Sequence, residues 1–435
     1  MIVGTGIDVG GAHQRLLPES IPLRFFGTAV LAHALAWIGV VLVAEDVAAH
    51  TGGPGPVAAA FHLLTVGVLL TSAMGASLQM LPVALGRAAP GTGWCHAVYV
   101  SLVVGGLALV AGFASFRLEV IAAGAAALAL SLGLYLTAVA SVLKGAAGLR
   151  LVRIHVWAAL ACLGLGVGVA LLLAIDYRVS LLPDHRSAAM IHMTLVAYGF
   201  LGLLALGLSQ ILIPMFAIAE PAAGRLPAAA LALALVGLTA GVAGLMMGMP
   251  ALVVAAAAFG LLAVAAHGAS TERMLAARMR RRLGGEFQLI RLSWLMLAAA
   301  LLMAAGLALD LLPASAPPLF GFLTLFGWLL GLVIGVQQRI LPFLGSMHVL
   351  RAGGRPVAPT KLVNEHCLRI HRWCHVAALA LVGAGILFTA PAVIRLGGAA
   401  GAVGAGAYGL FAITVFQRTR THLGAAAMPA ARTPP

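Results

Sequence analysis

The side chains best able to do chemistry in this sequence are its histidines, because neutral imidazole both ligates metals and carries protons near neutral pH. His62 and His192 are distinguished by position: each lies in a long apolar run and precedes a proline, Pro82 or Pro214, by a nearly constant interval. At about 1.5 Å per helical residue, both imidazoles fall about two turns inside the same membrane surface. There an unpartnered polar ring is costly. An ionisable residue at that depth marks a functional site by default. The plainer reading is a hydrogen bond to a neighbouring helix. A second group, His96, His155, His267, His366, His371 and His375, falls at the opposite ends of the apolar runs. His371 and His375 are four apart, so on a helix they share a face and could hold one metal. The alternative for this group is an interfacial belt, with tryptophan and histidine at headgroup level. The echo between Trp94-Cys95-His96 and Trp373-Cys374-His375 supports that reading. Water and headgroups would then satisfy His96 and His155, which are expected not to be ligands. His33 is the exception, mid-way along the first apolar run.

These residues must be positioned by membrane helices. The chain has 435 residues, 62% hydrophobic and 9% charged, with a mean hydropathy of +1.07, which excludes a water-soluble domain. Twelve apolar runs are long enough to span a bilayer. Short loops leave no room for a soluble domain, so residues 1–435 read as one membrane domain. All but Arg117, Arg178, Arg186 and Arg395 of the 26 basic residues fall on one side of that twelve-span layout. The positive-inside rule then puts both termini in the cytoplasm of a bacterial-type inner membrane. The net charge of +14 is topology rather than nucleic-acid binding, and the run Arg278, Arg280, Arg281, Arg282 reads as a solvated loop facing lipid headgroups. The four cysteines form no C-x-x-C and read as buried small residues. No cleavable signal peptide is expected.

The strongest organising signal is a Gly-x7-Gly-x6-Pro spacing that occurs three times: Gly67, Gly75, Pro82; Gly199, Gly207, Pro214; and Gly327, Gly335, Pro342. The copies fall in spans two, six and ten, with glutamine before each proline (Gln79, Gln210, and Gln337 with Gln338). A four-helix period keeps every copy in the same orientation. The expected fold is therefore an all-α polytopic membrane protein of twelve transmembrane helices. They form three pseudo-threefold-related four-helix modules, at approximately 25–143, 154–268 and 289–416, with the repeat glycines of the inner spans turned toward a common centre. In the third copy Phe320 and Phe322 stand where the histidines would be. No lysine or carboxylate is mid-span, so no proton-pumping relay is expected. Met246, Met247 and Met249 could meet copper(I) as thioethers or serve as gap fillers.

Twelve spans, the four-helix repeat and the histidines of spans two and six together resemble the haem-copper oxidase subunit I superfamily. The H-x-x-T-x-G…G-A-x-x-Q-x-x-P run from His62 to Pro82 is also similar to oxidase-like and NnrS-type membrane proteins, often encoded near nitric-oxide metabolism genes. The resemblance implies that His62 corresponds to the second-span ligand of a low-spin haem and His192 to the sixth-span ligand of copper. The pattern departs elsewhere. Span seven holds no histidine pair, span ten has Phe320 and Phe322, and Val196 stands where the sixth-span tyrosine belongs, with Tyr198 out of step. An oxidase-type binuclear centre is therefore not expected. What remains is haem b with His62 and His192 as axial candidates, helped by a threonine such as Thr65 or Thr194. His371 and His375 form a reserve metal pair, copper being one candidate. The implied partners are membrane lipid and an electron-donor protein or quinol. The function is then a membrane redox protein of electron transfer or nitric-oxide or oxygen metabolism. The competing class is a cofactor-free permease or accessory protein, with Gln79, Gln210 and Gln337 lining a polar path.

Overall fold

A computed structural model describes residues 15–50, 52–222, 224–280, 283–313 and 315–427. Arg281 and Arg282 lie outside the described residues. Among these residues the protein is all helical, with no strand, and twelve helices are long and apolar enough to cross a membrane. They are α1 (Ser20–Leu42), α2 (Pro56–Ala84), α3 (Thr92–Ala114), α4 (Leu118–Lys144), α5 (Arg150–Val179), α6 (His185–Ala217), α7 (Leu226–Met247), α8 (Pro250–Ala276), α9 (Glu286–Ala308), α10 (Ala316–Arg351), α11 (Glu365–Leu387) and α12 (Pro391–Gly424). The chain is a multi-pass membrane protein. An even number of crossings puts both chain ends on one face, called here the terminal face.

Three helices form the interior. Of their apolar stretches, 61%, 78% and 72% are buried in α2, α6 and α10, against 44% or less in the other nine. The nine close a ring around them: α4 packs on α5, α8 on α9, and α12 returns to α1. Each interior helix passes through one π-helical segment, Thr65–Leu70, Thr194–Gly202 or Leu323–Leu330, and each segment contains the first repeat glycine. A π segment widens the helix and is found disproportionately at functional sites.

The tight turns between α3 and α4, α7 and α8, and α11 and α12 are one construction made three times. A left-handed residue, Phe116 (φ 55°), Gly248 (φ 61°) or Thr389 (φ 49°), ends the first helix. The next amide donates back to a glycine carbonyl: Arg117 to Gly112 at 2.9 Å, Met249 to Gly244 at 2.9 Å and Ala390 to Gly385 at 2.8 Å. This six-to-one bond satisfies a carbonyl that the helix end would leave open. Asp184 caps α6 by accepting from the amides of Arg186 and Ser187 at 2.9 and 3.2 Å. Hydrogen bonds from the Ser187 hydroxyl and amide hold its carboxyl below the usual range.

The repeat glycines do not face a common centre. A Cβ on Gly67 would lie 2.8 Å from the Ala32 Cβ, on Gly75 2.6 Å from the Phe25 Cβ, on Gly199 2.7 Å from the Cys162 Cβ, and on Gly207 2.7 Å from the His155 Cβ. On Gly327 and Gly335 it would meet Met296 and Ile290, both at 3.0 Å. Each pair therefore seats the preceding helix of the ring. The physical reason is that the interior helices meet through large side chains: Tyr198 bonds Thr324 at 3.0 Å, and the Trp328 ring covers Gly202. Arg278 and Arg280, both partly exposed, donate to the carbonyls of Leu275 and Phe216 at 2.6 and 3.2 Å. Met246, Met247 and Met249 are 72%, 69% and 46% exposed and fill no gap.

The crossing of α3 and α4 gives a prediction. A Cβ on Gly124 would sit 2.5 Å from the Leu109 backbone nitrogen, whereas one on Gly133 of the same helix would meet nothing within 4 Å. Gly124→Ala is therefore expected to cost roughly 1–3 kcal/mol through forced backbone displacement. Gly133→Ala is expected to be neutral or to gain up to about 1 kcal/mol of helix propensity. Thermal unfolding of both variants in detergent checks this, and equal midpoints would contradict the crossing.

Candidate functional site: three groups of imidazoles

His62 lies in the second turn of α2 and His192 in the second turn of α6, on the face opposite the termini. The His62 Nδ1–H donates to the Ala58 carbonyl at 2.8 Å, and the His192 Nδ1–H donates to the Gly166 carbonyl, on α5, at 2.9 Å. A carbonyl can only accept, so in both rings Nδ1 carries the proton and Nε2 keeps its lone pair. That is the tautomer of a metal-ligating imidazole, oriented by an outer hydrogen bond. The His62 ring stacks on Phe113 with centroids 4.5 Å apart. The threonines expected to orient the two histidines do not. Thr194 donates to Met190 of its own helix at 2.8 Å, and main-chain carbonyls perform the orienting role.

The second group is sealed within the membrane between α1, α10, α11 and α12. His33, His371, His375 and Tyr408 are each 1–2% exposed. Ring centroids are 5.8 Å apart for His33 and His371, 5.8 Å for His371 and His375, and 5.2 Å for His371 and Tyr408. Trp37 donates its indole N–H to His33 Nε2 at 3.2 Å, which leaves the His33 proton on Nδ1. The Gln338 amide lies 3.3 Å from His371 Nδ1. Its neighbour Gln337 accepts from the Tyr408 hydroxyl at 2.8 Å and donates to Ser72 at 2.6 Å, bracing three helices. His33 Nδ1, His371 Nε2 and both nitrogens of His375 have no hydrogen-bond partner among the described residues.

This arrangement corrects the interfacial reading of His371 and His375. The tripeptide echo misplaces them in depth: His96 lies sixteen residues before its turn glycine Gly112, but His375 lies only ten before Gly385. The difference of six residues is about 9 Å along the helix. His96 stays near the surface and meets Arg24, whose guanidinium donates to its Nδ1 at 2.5 Å. His33 is the member that sequence reasoning left without a role, and its mid-span position was the available signal.

The third group contradicts a further expectation. His155 and His267 are not bathed by water and headgroups; each is 1% exposed. The His155 Nδ1–H donates to Leu151 at 2.9 Å, while both nitrogens of His267 lack partners among the described residues. The His267 ring lies on Trp294, with centroids 4.6 Å apart.

An apolar cavity of about 450 Å³ lies between α6, α7, α8, α9 and α10, walled by Tyr198, Trp294, Trp328 and the small residues Gly237, Gly241 and Gly260, and none of these histidines lines it. Among the described residues, no cluster of three or more histidine, cysteine or acidic side chains is arranged to hold one metal ion. The donor sets suit ligation by one or two imidazoles. Fold and site thus define a class: a twelve-span, all-helical membrane protein that carries three groups of imidazoles on its spanning helices. No protein-family model matches the chain, and no curated protein matches it either.

Proposed function

We propose that this chain is a haem-binding membrane redox protein, similar to haem-copper oxidase subunit I and to NnrS-type proteins, in electron transfer or nitric-oxide or oxygen metabolism. The observation that carries the reading is the shared state of His62 and His192. Each has Nδ1 fixed by a carbonyl and Nε2 free to donate an electron pair. Haem b held by these two side chains would supply one-electron chemistry. His371 and His375 form the metal pair, with copper the candidate ion, and the nitrogens they leave unpartnered fit that use. Three four-helix units, residues 25–143, 154–268 and 289–416, each contribute one interior helix. An electron-donor protein or a quinol delivers the electrons, and the chain resides in a bacterial-type inner membrane.

The test is the visible spectrum of the detergent-purified chain. A Soret band with an α band that sharpens on reduction is expected, and a featureless spectrum would remove the reading. One observation favours a second reading, a permease or accessory protein for an apolar solute: the 450 Å³ cavity.

Both termini lie in the cytoplasm in this account, because among the described residues all basic side chains but Arg117, Arg178, Arg186 and Arg395 fall on the terminal face. The basic residues on the other face are engaged with acids in two cases, Arg178 with Glu119 and Arg395 with Glu45. A reporter fused after His422 is expected to read as cytoplasmic, and a periplasmic signal would invert the assignment.

A further inference from the structure

We propose that His33 donates a hydrogen bond to a small uncharged ligand bound on the metal pair of His371 and His375, with Trp37 as the residue that positions it. This role depends on the copper reading of that pair. The structural basis starts at Gly401 on α12, where an added Cβ would fall 2.2 Å from Cδ2 of the Trp37 indole. Glycine at that position lets the ring lie directly on the α12 backbone. The indole is fully buried there. Its ring centroid is 4.7 Å from that of Phe326, 6.5 Å from Phe322 and 6.2 Å from His375, so α10, α11 and α12 all hold it.

One helical turn earlier on α1, His33 Nε2 accepts the indole N–H at 3.2 Å. Indole can only donate, so the lone pair of the neutral imidazole is on Nε2 and its proton on Nδ1. Ring contact alone does not produce such a bond. The rings of His267 and Trp294 are 4.6 Å apart, yet the Trp294 N–H and both His267 nitrogens lack partners among the described residues. The bond from Trp37 therefore sets a tautomer, and it leaves His33 with a buried N–H that has no acceptor among the described residues. Tyr408, whose ring centroid is 5.9 Å from that of His33, does not take this proton; its hydroxyl bonds Gln337 instead.

The His33 ring contacts the metal pair directly, with centroids 5.8 Å from His371. It does not complete a three-histidine ligand set, since no such set is arranged for a metal among the described residues. Ligation through Nδ1 would also move the proton to Nε2 and break the bond from Trp37. The group thus supplies two ligating rings and one fixed donor. A donor requires an acceptor atom on the ligand, and an unpaired anion is costly to bury beside neutral rings. The ligand class is therefore an uncharged diatomic that binds copper(I) through one atom and carries partial negative charge on the other. A hydrogen-bond donor at that second atom tunes how tightly such a ligand is held.

The test uses the purified full chain with carbon monoxide as the probe. Loaded with copper(I), the wild type is expected to retain the metal and to show a carbonyl infrared band. His33→Leu removes the donor and is expected to retain copper, raise the band frequency and weaken carbon monoxide binding roughly 2–10-fold, the size of one hydrogen bond. His33→Gln keeps an N–H donor and is expected to return the band toward its wild-type position. Trp37→Phe keeps an aromatic ring on Gly401 but frees the tautomer, and is expected to raise the band part of the way. Nitrogen-15 spectra of the metal-free wild type, with the His33 signals identified by their loss in His33→Gln, are expected to show a protonated Nδ1 and an unprotonated Nε2. A wild type that retains no copper would remove the copper reading and this role with it. Copper retained with an unmoved band in both His33→Leu and Trp37→Phe, or a protonated His33 Nε2, would overturn the donor alone.

Discussion

Alanine at either His62 or His192 is expected to reduce bound haem to below about a tenth of the wild-type content, while His96→Ala retains it in full. The size follows from the ligand role. Losing an outer hydrogen bond to a ligating histidine costs roughly 10–100-fold in affinity, and losing the ligand itself costs more. His62→Ala and His192→Ala remove the only atom each residue offers the cofactor, because Nδ1 is committed to Ala58 and to Gly166. His96, near the surface and bound to Arg24, has nothing to lose by the same route. Haem per chain after purification is the measurement. Full retention in both His62→Ala and His192→Ala would move the cofactor toward His371 and His375.

The largest stability effect is expected at Glu286. Its carboxylate accepts from Arg339 Nε at 2.5 Å, and the two side chains are 7% and 12% exposed. Glu286→Ala leaves the guanidinium enclosed without its counter-charge, a loss of roughly 3–5 kcal/mol for a buried pair. The neighbouring pair of Glu272 and Arg291 has comparable geometry, 2.7 and 2.8 Å, but the partners are 53% and 51% exposed. Solvent screens that pair, and Glu272→Ala is expected to cost about 1 kcal/mol or less. Unfolding of the two variants in parallel checks the contrast, and equal losses would show that burial does not govern these pairs.

The number of spans and the identity of the interior helices were legible because apolar length and glycine spacing are local properties. The direction of those glycines was not. Two glycines eight apart declare a shared helix face, but which neighbour approaches it depends on the largest side chains elsewhere, here Trp328 and Tyr198 between the interior helices. The π segments left no recognisable mark in composition. His371 and His375 were misjudged because an identical tripeptide at positions 94 and 373 suggested equal depth, whereas depth is set by distance from the turn glycines Gly112 and Gly385.

The central claim is that the imidazoles of His62 on α2 and His192 on α6 would together hold haem b. Low-temperature electron paramagnetic resonance of the oxidised, purified wild-type chain tests it most directly, since two imidazole ligands impose a low-spin ferric state. A low-spin signal that accounts for all the haem, and that disappears in His62→Ala and in His192→Ala, is the predicted result. A high-spin signal in the wild type, or a low-spin signal that persists in both variants, would contradict the account.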